Sequence, residues 1–220
     1  MSRRTIAIGD IHGCGRALQV LLERVRPTAD DTLVLLGDYV DRGPDSRGVL
    51  DQLVALVRDC QVIPLLGNHE IMLRDSLRSR DTFEFWQQCG GQETLASYDG
   101  SLDNLPTEHH VFLQNLLPYH ETDSHLFVHA NYDPDLDLAE TAPHLLYWEH
   151  VGPRVPRPHH SGKTVIVGHT PQASGRILDL GHLVCLDTYC FGGGWLTALD
   201  VDSGMLWQAR ETGIYREGKS

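Results

Sequence analysis

The 220-residue chain carries 18 Lys and Arg against 30 Asp and Glu, a formal net charge of −12. That balance argues against a nucleic-acid or anionic-membrane binder, which wants a basic face, and no apolar run approaches the roughly 20 residues of a membrane span. The length suits one packed core, so a single domain over residues 1–220 is expected.

Only four residues separate Met1 to Arg4 from the first motif, so no secretory leader is expected. Five scattered cysteines without a Cys-x-x-Cys fit reduced thiols, so a cytoplasmic location is expected. Thr5 to Ile8 reads as a strand. Leu18, Leu21, Leu22 and Val25 then recur at helical spacing, with Pro27 as the stop. A second strand runs from about Thr32 to Leu36, and Val49, Leu50, Leu53, Leu56 and Val57 mark a second helix starting near Pro44 to Ser46. Val62 to Leu66 is a third strand. His69 to about Leu77 reads as helix, Gly90-Gly91 as a break before Gln92 to Tyr98, and Leu113, Leu116 and Leu117 as a helix that stops by Pro118. Beyond Leu126 strands dominate: Leu126–Val128, Thr164–Val167, Leu183–Leu186, Leu196–Leu199 and Met205–Gln208, the last two joined by an Asp202-Ser203-Gly204 turn. Val151 to Gly162, with its prolines, reads as a surface loop. Alternating β and α followed by a strand-rich tail predicts an α/β fold of two packed β-sheets flanked by helices.

Five of these strands end in metal-binding chemistry. They lead into Gly9-Asp10-Ile11-His12-Gly13, Gly37-Asp38-Tyr39-Val40-Asp41-Arg42-Gly43, Gly67-Asn68-His69-Glu70, His129-Ala130 and Gly168-His169-Thr170. Strand ends are where open α/β sheets place their sites. Taken singly, each motif is an ordinary polar turn; together they imply one site. Asp10, His12, Asp38, Asn68, His129 and His169 mix oxygen donors with imidazoles. That set suits Mn²⁺, Fe²⁺ or Zn²⁺ better than Ca²⁺, Mg²⁺ or a structural Zn²⁺. Six ligands exceed one tetrahedral ion and suit two ions sharing a carboxylate.

The motif set resembles the phosphoprotein-phosphatase branch of the metallophosphoesterases, and within it the short bacterial and phage serine/threonine phosphatases. The resemblance extends through Asp187-Thr188 and Gly193 to Thr197. It implies an αββα metallophosphoesterase sandwich that cleaves phosphomonoesters, above all phosphoserine and phosphothreonine on a protein or peptide, by a dimetal-bridging hydroxide without a phosphoenzyme. It places Asp10, His12 and Asp38 on one metal, and Asp38, Asn68, His129 and His169 on the other, with Mn²⁺ as the expected metal. It makes His69 the general acid, Asp41 the residue that orients it, and Arg42 a phosphate fork. Such phosphatases carry a second arginine shortly after a tryptophan. Here Trp148 is followed by Glu149 and His150, so His150 and Arg154 are the candidates for that second grip. Symmetrical diadenosine tetraphosphate hydrolases resemble the same motifs and are the alternative enzyme, together with small-molecule phosphoesterases. A catalytically dead metal-binding module is the third reading, against which the intact His69, Asp41 and Arg42 count.

Other features are read as structural. Cys14 is expected to be a small packed residue. Asp133, Asp135 and Asp137 lack the glycine and glutamate of a calcium loop. His109-His110 and His159-His160 are expected to face solvent, because adjacent residues do not share a face. Gly192 to Gly194 lacks a phosphate-cradling lysine.

Overall fold

A computed structural model describes residues 3–152 and 155–220. Its first sheet has the order β11-β10-β9-β1-β2-β3, from β1 (Thr5–Ile8), β2 (Thr32–Leu35), β3 (Gln61–Pro64), β9 (Leu196–Asp200), β10 (Met205–Ala209) and β11 (Tyr215–Lys219). The second has the order β4-β5-β6-β8-β7, from β4 (Tyr119–Glu121), β5 (His125–Val128), β6 (Thr164–Val167), β7 (Leu178–Asp179) and β8 (Leu183–Cys185). The central strands β1, β2 and β3, and likewise β5, β6 and β8, run parallel within their sheets. Parallel central strands are covered on both faces, and their side chains show it. Ala7, Val34, Phe127, Ile166, Val184 and Leu186 meet between the sheets, whereas Ile6, Ile8, Leu33 and Leu35 point the other way, onto the helices. Alternation with period two thus builds two cores from each strand.

The first sheet's outer core takes in α1 (Gly15–Val25), α2 (Ser46–Asp59), α3 (Asn68–Ser76), α4 (Arg80–Trp86), α5 (Gln92–Ser97) and α6 (Thr107–Gln114). The second sheet's outer face is covered more thinly, by α7 (Pro143–Tyr147) and the chain around Tyr132, Leu138 and Val151. The αββα layering is therefore lopsided. Among the described residues no helix is long and apolar enough to cross a membrane.

Local chemistry accounts for the helix ends. The α1 helix stops at Val25, and Arg26 caps it in the left-handed conformation at φ 47°, because the residue before Pro27 is disfavoured as helix. At α2 the Asp45 carboxylate accepts the Gly48 N–H at 2.8 Å, so Asp45 rather than Ser46 supplies the cap. Gly90, at φ 113°, breaks the chain between α4 and α5 as expected.

Three expectations need correction. The helix anticipated over Leu113 to Leu117 lies earlier, in α6; Leu117 instead bridges to Leu65, extending the edge of the first sheet. The two-residue β7, the three-residue β4 and the five-residue α7 carry too few residues for a period to show, and β11, as long as β9 and β10, is polar and mostly exposed, without an apolar pattern. Neither histidine pair faces solvent as a pair. His109 is 1 % exposed between the Tyr98 hydroxyl, 2.7 Å from Nδ1, and Asp51, 3.0 Å from Nε2. His159 is buried against Ser161 and the Leu136 carbonyl, while His110 and His160 are exposed.

Burial lowers the His109 pKa below its ordinary value, and the neighbouring Asp51 only partly opposes this. The folded pKa lies below the unfolded one, so the unfolded chain binds the proton more readily. The stability His109 contributes is present above about pH 6.5 and is lost as pH falls through that value. Urea midpoints of chelator-treated protein should therefore drop between pH 7.5 and 5.5, and His109→Gln should flatten that drop. An unchanged slope in the variant would remove His109 as a source of acid sensitivity.

Candidate metal centre

Six strand ends meet at one rim of the sandwich. The ends of β1, β2, β3, β5 and β6 bring together Asp10, His12, Asp38, Asn68, His129 and His169, all at most 8 % exposed. The sixth end, that of β8, adds Asp187. Ligand atoms of His12, Asp38 and His69 lie within 4.8 Å of one another, as do those of Asp38, His129 and His169. Asp38 belongs to both groups. Asn68 Oδ1 is 3.0 Å from both His129 Nε2 and His169 Nδ1, and the Asp10 carboxylate accepts the His169 N–H at 2.9 Å.

The backbone decides which ring nitrogen of each histidine faces inward. His12 Nδ1 donates to the Val40 carbonyl at 2.9 Å, His129 Nδ1 to Leu36 at 2.7 Å and His169 Nε2 to Trp148 at 3.0 Å. A carbonyl only accepts, so each of those nitrogens carries a proton. Burial lowers the pKa of all three rings, that of His169 to about 3, and neutral rings leave their other nitrogen as a bare lone pair. Those lone pairs face oxygen: His12 Nε2 and His129 Nε2 each lie 3.4 Å from an Asp38 oxygen. Acceptors facing acceptors in a buried space repel unless a cation sits between them. The donor set therefore fits divalent metal, and carbonyl-fixed imidazoles are the usual outer support of such ligands.

Charge tells the same story. Burial, with the charges of Asp187 and Asp38, raises the Asp10 pKa well above the carboxylate range. Burial likewise pushes Asp187 up to about 6, and Asp187 Oδ2 is buried without a hydrogen-bond partner among the described residues.

His69 is held differently. Its Nδ1 is 2.7 Å from Asp41 Oδ2, while its Nε2 is buried with no partner among the described residues. Burial lowers the His69 pKa, yet the charge of Asp38 and the hydrogen bond to Asp41 outweigh it and the net shift is upward. Asp41 itself is saturated: it accepts from Trp86 Nε1 at 2.9 and 3.1 Å and from the Thr94 hydroxyl at 2.7 Å. Arg42 Nη1 donates to His12 Nε2 at 3.2 Å, and its guanidinium lies 4.8 Å from the Phe191 ring centroid. His150 is exposed at the rim, its ring centroid 4.4 Å from that of His169. Arg154 lies outside the described residues.

Five of these residues, His12, Asp38, Asp41, Arg42 and His169, have positive φ between 45° and 70°. Left-handed backbone at non-glycine residues is strained and tends to gather at functional sites.

The six donors, His69, Asp41 and Arg42, named from the motifs, stand together at this rim. The motifs missed Asp187, although Leu183 to Leu186 followed by an acid repeats the pattern of the other strand ends. Trp86, Thr94 and Phe191 had no local signal at all.

Comparison with known proteins agrees with this geometry. The calcineurin-like phosphoesterase family matches residues 3–202. Serine/threonine-protein phosphatase 1 of Salmonella typhimurium is 31% identical over 214 residues, 89% of this chain and 90% of that protein. A symmetrical bis(5'-nucleosyl)-tetraphosphatase of Coxiella burnetii is 31% identical over 162 residues, 72% of this chain and 51% of that protein. The chain thus spans about half the length of the tetraphosphatase it matches. Among solved structures, a putative diadenosine tetraphosphatase aligns over 100% of this chain and 95% of its own with a TM-score of 0.67 at 23% identity. A cold-active protein-tyrosine phosphatase of a psychrophilic Shewanella covers 99% of this chain and 80% of its own at 0.68 and 19%. These two likenesses speak to the fold alone. By its sequence match the chain belongs to the calcineurin-like phosphoesterase family.

Proposed function

We propose that the chain is a dimetal phosphomonoesterase acting on phosphoserine and phosphothreonine in proteins, with Mn²⁺ the preferred ion. The observation that carries the substrate is length: the serine/threonine phosphatase is matched nearly end to end, whereas the tetraphosphatase is matched over half. Hydrolysis of diadenosine tetraphosphate is the second reading, favoured by the tetraphosphatase of Cellvibrio japonicus, 47% identical over 70 residues.

Asp10, His12 and Asp38 would hold one ion, and Asp38, Asn68, His129 and His169 the other. Bound there, two divalent ions supply an activated water and neutralise phosphoryl charge. The chain's own residues do the rest. Arg42, half-buried beside His12, offers the phosphate dianion a planar fork of donors. His69 holds a proton on Nε2, which has no partner among the described residues, and from there it can pass to the departing alkoxide oxygen. Asp41, locked by Trp86 and Thr94, keeps that ring charged and oriented. His150 supplies the second grip on phosphate in place of the expected arginine.

Metal-free protein titrated with Mn²⁺ should take up two ions per chain. The loaded enzyme should release phosphate from phosphoserine and phosphothreonine peptides faster than it splits diadenosine tetraphosphate, and the reverse order would transfer the assignment to the second reading. His69→Asn should retain both ions while kcat on an alkyl phosphate falls by roughly 10²–10⁴-fold, the usual range for loss of a general acid. The loss should be smaller on an aryl phosphate, whose phenoxide leaves without help; equal losses would show that His69 does not protonate the leaving group. His150→Ala should raise KM for phosphomonoesters severalfold at unchanged ion uptake, and an unaltered KM would eliminate His150 from phosphate binding.

A further inference from the structure

Among the described residues, a group of cations stands without an acidic partner. Arg210 and Arg216 lie over the Trp195 ring, 4.3 and 4.1 Å from its centroid. Arg216 also donates to the Gly175 carbonyl at 2.7 Å, which sets it beside Arg176. The three guanidinium groups are close enough that Arg210 and Arg176 help burial to lower the Arg216 pKa. Arg4, Arg47, Arg58, Arg78, Arg80 and Arg157 each sit against a carboxylate. Among the described residues none of the three clustered arginines does, and Arg210 Nε is buried without a partner.

The adjacent acids are engaged elsewhere. Glu211 accepts the Arg16 and Ala17 N–H groups at the start of α1, at 3.3 and 3.0 Å. Glu217 neighbours Arg216 on β11, so it points to the opposite face, where it bonds the Tyr215 hydroxyl. In a chain with 30 Asp and Glu and a net charge of −12, three arginines gathered without an acid form a local reversal of sign.

The cluster stands at the same end of the sheet as the metal centre. Ile8 pairs with Ala198 and the Gly9 N–H donates to the Thr197 carbonyl, so the row through Asp10 continues to Leu196, then Ala209, then Tyr215. Arg176 is on the loop that leaves His169, and that loop is pinned to Asp187 by Gln172 N–H at 2.8 Å. Strands are about 4.8 Å apart, which places Arg210 and Arg216 about 10–15 Å from Asp10. An extended peptide advances about 3.3 Å per residue, so that span is about three to five residues. The next phosphate of a phosphoanhydride chain, one P–O–P link away, falls short of it.

We propose that Arg176, Arg210 and Arg216, mounted on Trp195, form an anion-binding subsite for acidic side chains about three to five residues from the phosphorylated residue of a peptide substrate. The subsite rests on the protein-phosphatase reading for the substrate that reaches it. Trp195, itself 7 % exposed, serves as the platform that orders two of the guanidinium groups and is too buried to stack on a ligand.

The test uses two fluorescently labelled phosphoserine peptides, one with glutamates and one with alanines three to five residues on either side of the phosphoserine. Anisotropy with the full chain at low salt should give about threefold to tenfold tighter binding of the acidic peptide, the range two exposed ion pairs supply. In Arg216→Gln and in Arg176→Ser that preference should shrink; Arg176 is exposed, so its variant reports even if Arg216→Gln fails to fold. Equal binding of both peptides by the unaltered chain would overturn the subsite. So would a preference that survives in a folded variant of each arginine. A retained, arginine-dependent preference without any release of phosphate from either peptide on the Mn²⁺-loaded chain would support the subsite and overturn the protein-phosphatase reading alone.

Discussion

One buried carboxylate ties the site together. Glu70, 4 % exposed, accepts the backbone N–H groups of Tyr39 and Val40 on one oxygen, at 2.7 and 3.3 Å, and those of Asp38 and Gly67 on the other, at 2.9 and 3.1 Å. The loop after β2 is thereby fastened to the first turn of α3. That turn offers its own donor in return, since Asp38 Oδ1 accepts the His69 N–H at 3.0 Å. Asp38, Asp41 and Arg42 are positioned relative to Asn68 and His69 by these bonds. Without them the loop's run of left-handed residues would have little reason to persist. Glycine is needed where the two segments touch: a Cβ on Gly67 would lie 2.2 Å from Asp38 Oδ1.

Glu70 also links the loops to the state of the centre. Burial first, then the charge of Asp38, pushes its carboxyl up to about 8, and the N–H bond from Tyr39 works against them. Those N–H groups are satisfied best by an ionised carboxylate. A cation held by Asp38 would remove the repulsion that opposes ionisation. Bound metal would therefore favour the loop arrangement seen here through Glu70, a residue that need not touch the ion.

The parts legible in the sequence are those whose signal is local. A strand, a glycine and a metal-binding side chain are contiguous at Asp10, Asp38, Asn68, His129 and His169, and the parallel sheets bring such ends to a common rim whatever the loops between them do. The unreadable parts depend on partners far along the chain. Asp41 meets Trp86 and Thr94 across separations of 45 and 53 residues, and neither carries a mark of that role. His109 looked like a surface residue because nothing near it announces Asp51, 58 residues away. The displaced α6 has a similar cause: Leu116 and Leu117 continue an apolar pattern, but Leu117 N–H and C=O are taken by Pro64 and Leu66 at the sheet edge, and the edge wins over propensity.

What remains is why so many like charges are buried together. Asp10, Asp38, Asp41, Glu70 and Asp187 are each at most 4 % exposed. Within the same cluster stand Arg42 and the imidazole of His69, whose pKa is raised. Two positive groups do not neutralise five carboxylates, and isolated buried charge is among the most costly features a fold can hold. Hydrogen bonds remove part of the cost for Glu70 and Asp41, which are fully bonded. Asp10, Asp38 and Asp187 each accept a backbone N–H as well, from His169, His69 and Tyr189, but Asp38 also faces two imidazole nitrogens at 3.4 Å and Asp187 Oδ2 has no partner among the described residues. The oxygens left over from these bonds gather beside imidazole lone pairs, where divalent cations would replace the protons that burial otherwise favours on Asp10, Asp187 and Glu70. Holding these acids together, on strained backbone and against fixed imidazole tautomers, costs stability in the metal-free chain, and divalent metal at Asp10, Asp38 and the imidazoles would offset that cost.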